Sequence, residues 1–144
     1  MFFEEQAANY DAYAVIFDAK NERIGLVQTK DGEYTLPGGK IAQGETDVEC
    51  LERSARETLG AELEVSGYLG TALQSSPLPR EEEHMESGNL FYLGKIVKKA
   101  GQPREDCHNL EWLHLHEAVQ KVKDQQHKWA VEEGISAIQS STLF

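Results

Sequence analysis

Two cysteines, Cys50 and Cys107, are all that the 144-residue chain contains, too few for a disulfide framework or a cysteine-built zinc site. Positive charge is scarce as well: 14 lysines and arginines stand against 25 acids, for a formal net charge of -11. A surface of that sign lacks the cations that release counterions from a phosphate backbone, so no nucleic-acid partner is expected. It still admits a small phosphorylated ligand, because a bound divalent cation reverses the local charge. Long apolar runs are also missing. The longest uninterrupted one is Ala12 to Phe17, far short of a membrane span. The opening MFFEEQAANY has no basic n-region, so no signal peptide and a cytoplasmic location are expected.

What remains is ordinary for a folded domain: 40% hydrophobic and 27% charged residues, in a length that suits one domain over 1–144. AYAVIFDA (Ala12 to Ala19) and RIGLVQTK (Arg23 to Lys30) flank a short polar turn and form a predicted hairpin. Asp31-Gly32 leads into Tyr34-Thr35-Leu36 and then Pro37-Gly38-Gly39. Thr46 to Leu59 lacks proline and glycine and places Val48, Leu51, Ala55 and Leu59 at helical spacing, with Gly60 as C-cap. Strands are predicted over Glu62 to Leu73, Asn89 to Val97 and Leu110 to Leu115, with a proline-bearing acidic loop from Ser75 to Gly88. Helices over Glu117 to Val122 and Lys128 to Gln139 close the chain. Strands interrupted by one helix and followed by two more imply a mixed sheet covered by helices, an α+β or α/β/α arrangement.

The informative stretch is GGKIAQGETDVECLERSARETLG, residues Gly38 to Gly60. Gly39, Glu45, Arg53, Glu57 and Gly60 keep the spacing G-x5-E-x7-R followed by an acid and a glycine, and the chain thereby resembles the Nudix hydrolases. The box covers 23 residues, and the surrounding strand order fits the same family. The resemblance implies an α/β/α sandwich with a mixed central sheet. It also implies a loop-helix-loop that holds Mg²⁺ or Mn²⁺ against a diphosphate. The implied activity is hydrolysis of a nucleoside diphosphate linked to another group. Mg²⁺ prefers hard anionic oxygens, neutralises developing charge on the phosphate and can activate water.

In this box the family's acids at positions 54 and 58 are replaced by Ser54 and Thr58. The resemblance leaves Glu57 and the Gly39 carbonyl as metal donors, and Glu45 and Arg53 as a pair that pins the loop to the helix. A serine is no base at neutral pH, and losing a general base typically costs ~10²–10⁴ in rate. Asp47, Glu49 and Glu52 do not point where Ser54 does on a helical wheel. A replacement acid would have to come from the run Glu81-Glu82-Glu83, with Glu83 as the candidate loop carboxylate; the simpler reading of that run is a solvated acidic loop.

Other residues have plainer expectations. Cys50 falls where small residues pack in the helix and reads as a buried thiol. Arg56 reads as a solvated cation. His114 and His116 are expected on one face of the last strand, half-buried, and Trp112 and Trp129 in the core. His127 to Val131 opens the last helix with no assigned chemistry. Two functions follow: a hydrolase with reduced or rearranged catalysis, or a catalytically silent module of the same fold that binds a nucleotide or a protein. A homodimer is compatible with either.

Overall fold

The computed structural model describes residues 9–77, 84–99 and 110–141, and of residues 74–77, 84–86, 98–99 and 141 the backbone alone. Strand β1 (Tyr10–Phe17) is the centre of the sheet. It pairs antiparallel with β2 (Arg23–Gln28) through Ile16↔Gly25 and Phe17↔Ile24, and antiparallel with β4 (Gly38–Lys40) through Ala12↔Gly39. On its other edge it runs parallel to β6 (His84–Lys99), from Tyr10↔Gly88 to Phe17↔Lys95. The short β3 (Tyr34–Thr35) and β7 (Leu110–His114) extend the sheet from β2, and β5 (Ala61–Pro77) closes the far edge against β6. The result is a mixed sheet of seven strands.

Alternation along β1 builds the three layers. Successive side chains of a strand point to opposite faces, so Ala12, Ala14 and Ile16 join one core while Val15 and Phe17 join the other. The first core is roofed by helix α1 (Asp47–Ser54), through Cys50 and Leu51. The second is roofed by α2 (Leu115–Lys121) and α3 (Gln125–Ser141), through Ala118, Ala130 and Val131. This is the expected helix–sheet–helix sandwich.

Three local expectations need correction. Of the loop predicted from Ser75 to Gly88, the described residues 75–77 and 84–88 are strand: β5 and β6 stay paired out to Ser75↔Glu86 and Pro77↔His84. Pro77 misled because proline is read as a breaker. On an edge strand its missing N–H costs no ladder bond, and β5 is such an edge. The last strand ends at His114, which becomes the N-cap of α2, so His114 and His116 do not share a strand face. Both are exposed, with their rings stacked 5.7 Å apart. Trp112 and Trp129 are not core residues either, at 36% and 39% exposure. Trp112 lines an open groove with Arg23, Lys95 and Val97. Trp129 instead lays its ring on Gly70, where an added Cβ would come within 2.6 Å of it.

Candidate active site

Local sequence explains why α1 begins where it does. Thr46 is the N-cap: its hydroxyl accepts from the Glu49 N–H at 3.1 Å, and the Glu49 carboxylate accepts from the Thr46 N–H at 2.9 Å. This reciprocal capping box satisfies two otherwise orphaned donors. Glu49 is thereby committed to the cap. Asp47 is committed too, as acceptor of the Tyr92 hydroxyl. Neither is free to replace a missing box acid, in line with the wheel argument.

The helix does not end as a regular α-helix. Ala55–Leu59 forms a π-helical turn, and Gly60, in the left-handed conformation at φ 63, sends its N–H to the carbonyls of Ala55 and Arg56. Such turns widen the backbone locally and recur at functional sites. Glu57 and Thr58 lie inside this turn, so an ideal wheel does not give their directions.

Arg53 is the hub. Its Nε donates to Glu45 Oε2 at 2.7 Å and its Nη2 to Glu45 Oε1 at 3.0 Å. Its Nη1 donates to Glu57 Oε1 at 3.1 Å, and Nη2 also reaches the Lys40 carbonyl at 3.3 Å. The Ala42 N–H donates to Glu45 at 2.9 Å, closing the loop on itself. Two parallel bonds from one guanidinium are the strong, directional form of this pair. They hold the Glu45 carboxyl below the usual carboxylate range, aided by the Ala42 N–H. The Glu45–Arg53 pair thus ties the loop before α1 to the helix.

Glu57 is the exposed end of this ladder, its side chain 63% accessible. Gly39, the other residue assigned to metal, has its carbonyl turned to the buried Cys50 thiol, 3.5 Å away, with the Lys40 carbonyl at the same distance. Burial pushes that thiol up to about 11. Cys50 is thus a packed, protonated residue, as expected. Arg56 is not merely solvated, since its Nε lies 3.4 Å from Glu62 Oε1.

Ser54 is half-buried and Thr58 exposed. Together with Gly38, Ala14, Ile16 and Leu63 they line a cavity of about 10 Å³ between α1 and the sheet, room for about one water. Glu83 and its neighbours Glu81 and Glu82 lie outside the described residues. Beside Glu45, Tyr10, Ile41, Asp47 and Leu90 line an open groove of about 300 Å³ at the start of α1. Sequence reasoning did not find the Lys40 carbonyl or Tyr92 as parts of this region. A backbone acceptor has no residue signature, and the Tyr92–Asp47 bond spans 45 positions.

Among the described residues, no three of His, Cys, Asp and Glu group as a metal set. Glu57 offers the site a single carboxylate, with one oxygen already bonded to Arg53. Such donors do not make a resident cation cage. They fit a Mg²⁺ that is held mainly by a ligand's own phosphates and waters, the common arrangement for that ion.

Comparison with known proteins is consistent with this geometry. Residues 9–133 match the family model described as NUDIX domain. The fold is similar to that of the E. coli dihydroneopterin triphosphate pyrophosphohydrolase, at TM-score 0.69 and 14% identity over 90% of this chain and 96% of that one. It is similar to a C. elegans Ap4A hydrolase, at TM-score 0.63 and 18% identity over 92% and 98%. An ADP-ribose pyrophosphatase from Streptococcus suis gives TM-score 0.64 and 18% identity over 90% and 91%. No curated protein matches the chain at a significant level.

Proposed function

The chain belongs to the Nudix family, and we propose that it is a slow hydrolase of a nucleoside diphosphate linked to a second group. The observation that carries this is the ladder Glu45–Arg53–Glu57, which presents one exposed carboxylate beside the Gly39 turn. Names among the similar structures, a triphosphate pyrophosphohydrolase and an ADP-ribose pyrophosphatase, support the substrate class.

In this reading Glu57 and the Gly39 carbonyl would hold Mg²⁺ or Mn²⁺, and Glu83 is the acid proposed as a further donor. A cation bound there would neutralise charge on the diphosphate and make water more acidic. Arg53 orients Glu57, and its grip on Glu45 keeps the loop in place for the phosphates. Ser54 and Thr58, neutral hydroxyls, take no proton from the attacking water. The absence of a base at position 54 is why turnover is slow. The whole chain, 1–144, acts as one domain in the cytoplasm on a small phosphorylated ligand. It needs no nucleic acid and no membrane, and a homodimer is compatible with the site.

Product release from a panel of diphosphate-linked nucleosides, with Mg²⁺ and with Mn²⁺, tests the proposal. Glu57→Gln is expected to abolish turnover and leave the melting temperature unchanged. Turnover that survives this substitution removes Glu57 from the mechanism.

A second reading, binding without turnover, is favoured by one observation: Ser54 and Thr58 line a small cavity floored by Ala14 and Ile16. Ser54 is half-buried and Thr58 exposed, and neither hydroxyl supplies the anionic oxygen that a divalent cation prefers. Calorimetry that finds nucleotide binding without Mg²⁺, and no product with it, selects this reading.

A further inference from the structure

His127 is the buried polar residue of the described core, 5% exposed, and neither function above uses it. Its Nδ1 accepts the backbone N–H of Leu36 at 3.2 Å, across 91 positions of sequence. Leu36 immediately precedes Pro37-Gly38-Gly39, the stretch from which the box begins. The Pro37 carbonyl accepts from the Ala14 N–H at 3.0 Å. Gly38, at φ +148, lies so close to β1 that a Cβ would come within 2.1 Å of the Ala12 carbonyl oxygen. The Leu36–Pro37 corner that leads into β4 is therefore held to β1 on one side, where the β4–β1 ladder continues, and to α3 on the other. Beyond it, the Lys40 carbonyl receives Arg53, so the two anchors set where the Arg53 ladder meets β4.

We propose that His127 is a positioning residue for the Leu36–Pro37 corner that leads into β4, and that protonating its ring releases this corner from α3. A nitrogen that accepts an N–H carries no proton itself, so the bonded ring is neutral with its proton on Nε2. An imidazolium would set one N–H against another and lose the anchor. The ring is held between Tyr13, 4.4 Å away, and Phe91, 5.6 Å away, centroid to centroid. Burial favours its neutral form and lowers its pKa from 6.5, while Asp124, ahead of α3, and Asp11, on β1, pull the other way. From β1 the second titratable group is Tyr13, a neutral phenol that donates to Asp11 at 3.0 Å. From β6 the ring meets Phe91, which carries no charge. The anchor is therefore present at neutral pH. It weakens as pH falls below 6.5 and through the lowered value of the folded protein.

The test needs no ligand, so it stands apart from whether the site hydrolyses anything. Backbone amide and histidine ring NMR signals are followed from pH 7.5 downward. The amides of Leu36, Gly38 and Gly39 are expected to move together, with the midpoint of the His127 ring. In His127→Gln, whose amide oxygen accepts without titrating, that movement disappears and the neutral-pH positions stay near wild type. Three results overturn the proposal: flat Leu36, Gly38 and Gly39 signals while the His127 ring titrates, the same pH-dependent movement in His127→Gln, or a His127 ring that stays neutral down to acid unfolding.

Discussion

Arg53 holds Glu45 with two near-parallel hydrogen bonds, at 2.7 and 3.0 Å, and spends a third on Glu57 at 3.1 Å. One guanidinium thus joins the loop, the helix and the only box acid that the helix keeps.

Arg53→Lys tests that geometry, since an ammonium cannot form the fork. The Arg53 side chain is 37% exposed, so solvent screening keeps the loss modest, about 1 kcal/mol. That corresponds to a fall in Tm of about 3 °C for a domain of this size. The effect depends on pH. Glu45 titrates lower in the folded state than in the unfolded chain, so its contribution is complete above the ordinary carboxylate range. It is lost as pH falls through the lowered folded value. Thermal melts should therefore separate wild type from Arg53→Lys at pH 7 and bring them together in strong acid.

Restoring the two acids is the direct test of what Ser54 and Thr58 removed. The double replacement Ser54→Glu/Thr58→Glu should raise Mg²⁺-dependent product release by ~10² or more. It should also cost a few tenths of a kcal/mol, roughly, through like charges at i,i+4. Turnover assays alongside urea unfolding measure both. An unchanged rate would mean that the missing acids are not what limits this protein.

Gly38 and Gly39 are adjacent, yet their replacement by alanine should differ sharply. Gly38→Ala forces a left-handed residue against the Ala12 carbonyl and is expected to cost roughly 3 kcal/mol or more. At Gly39 an added Cβ meets nothing within 4 Å, so Gly39→Ala should shift stability by less than about 1 kcal/mol. Chemical denaturation of both variants decides. Equal costs would show that the turn tolerates movement which the packing against β1 argues against.

Thr46→Ala removes the N-cap acceptor for the Glu49 N–H and should destabilise by about 1 kcal/mol. Thr46→Ser keeps the hydroxyl and should recover most of it. Denaturation midpoints of the two variants give the comparison.

Much of this protein was legible along the chain because the relevant physics is local. The left-handed C-cap needs only a glycine at position 60. Alternation along Ala12 to Phe17 already sorts side chains to two faces. The family resemblance carried by Gly39, Glu45, Arg53 and Glu57 implied an Arg–Glu clamp with two acids missing. Tertiary structure alone decided the rest. Whether Pro77 breaks a strand depends on β5 being an edge, which sheet order settles. Where Trp129 lies depends on Gly70, and what His127 does depends on Leu36. Those contacts join residues 59 and 91 positions apart, and they exist only once strand order and register bring the segments together. No periodicity or local preference encodes that meeting, because its free energy comes from packing between elements rather than within them.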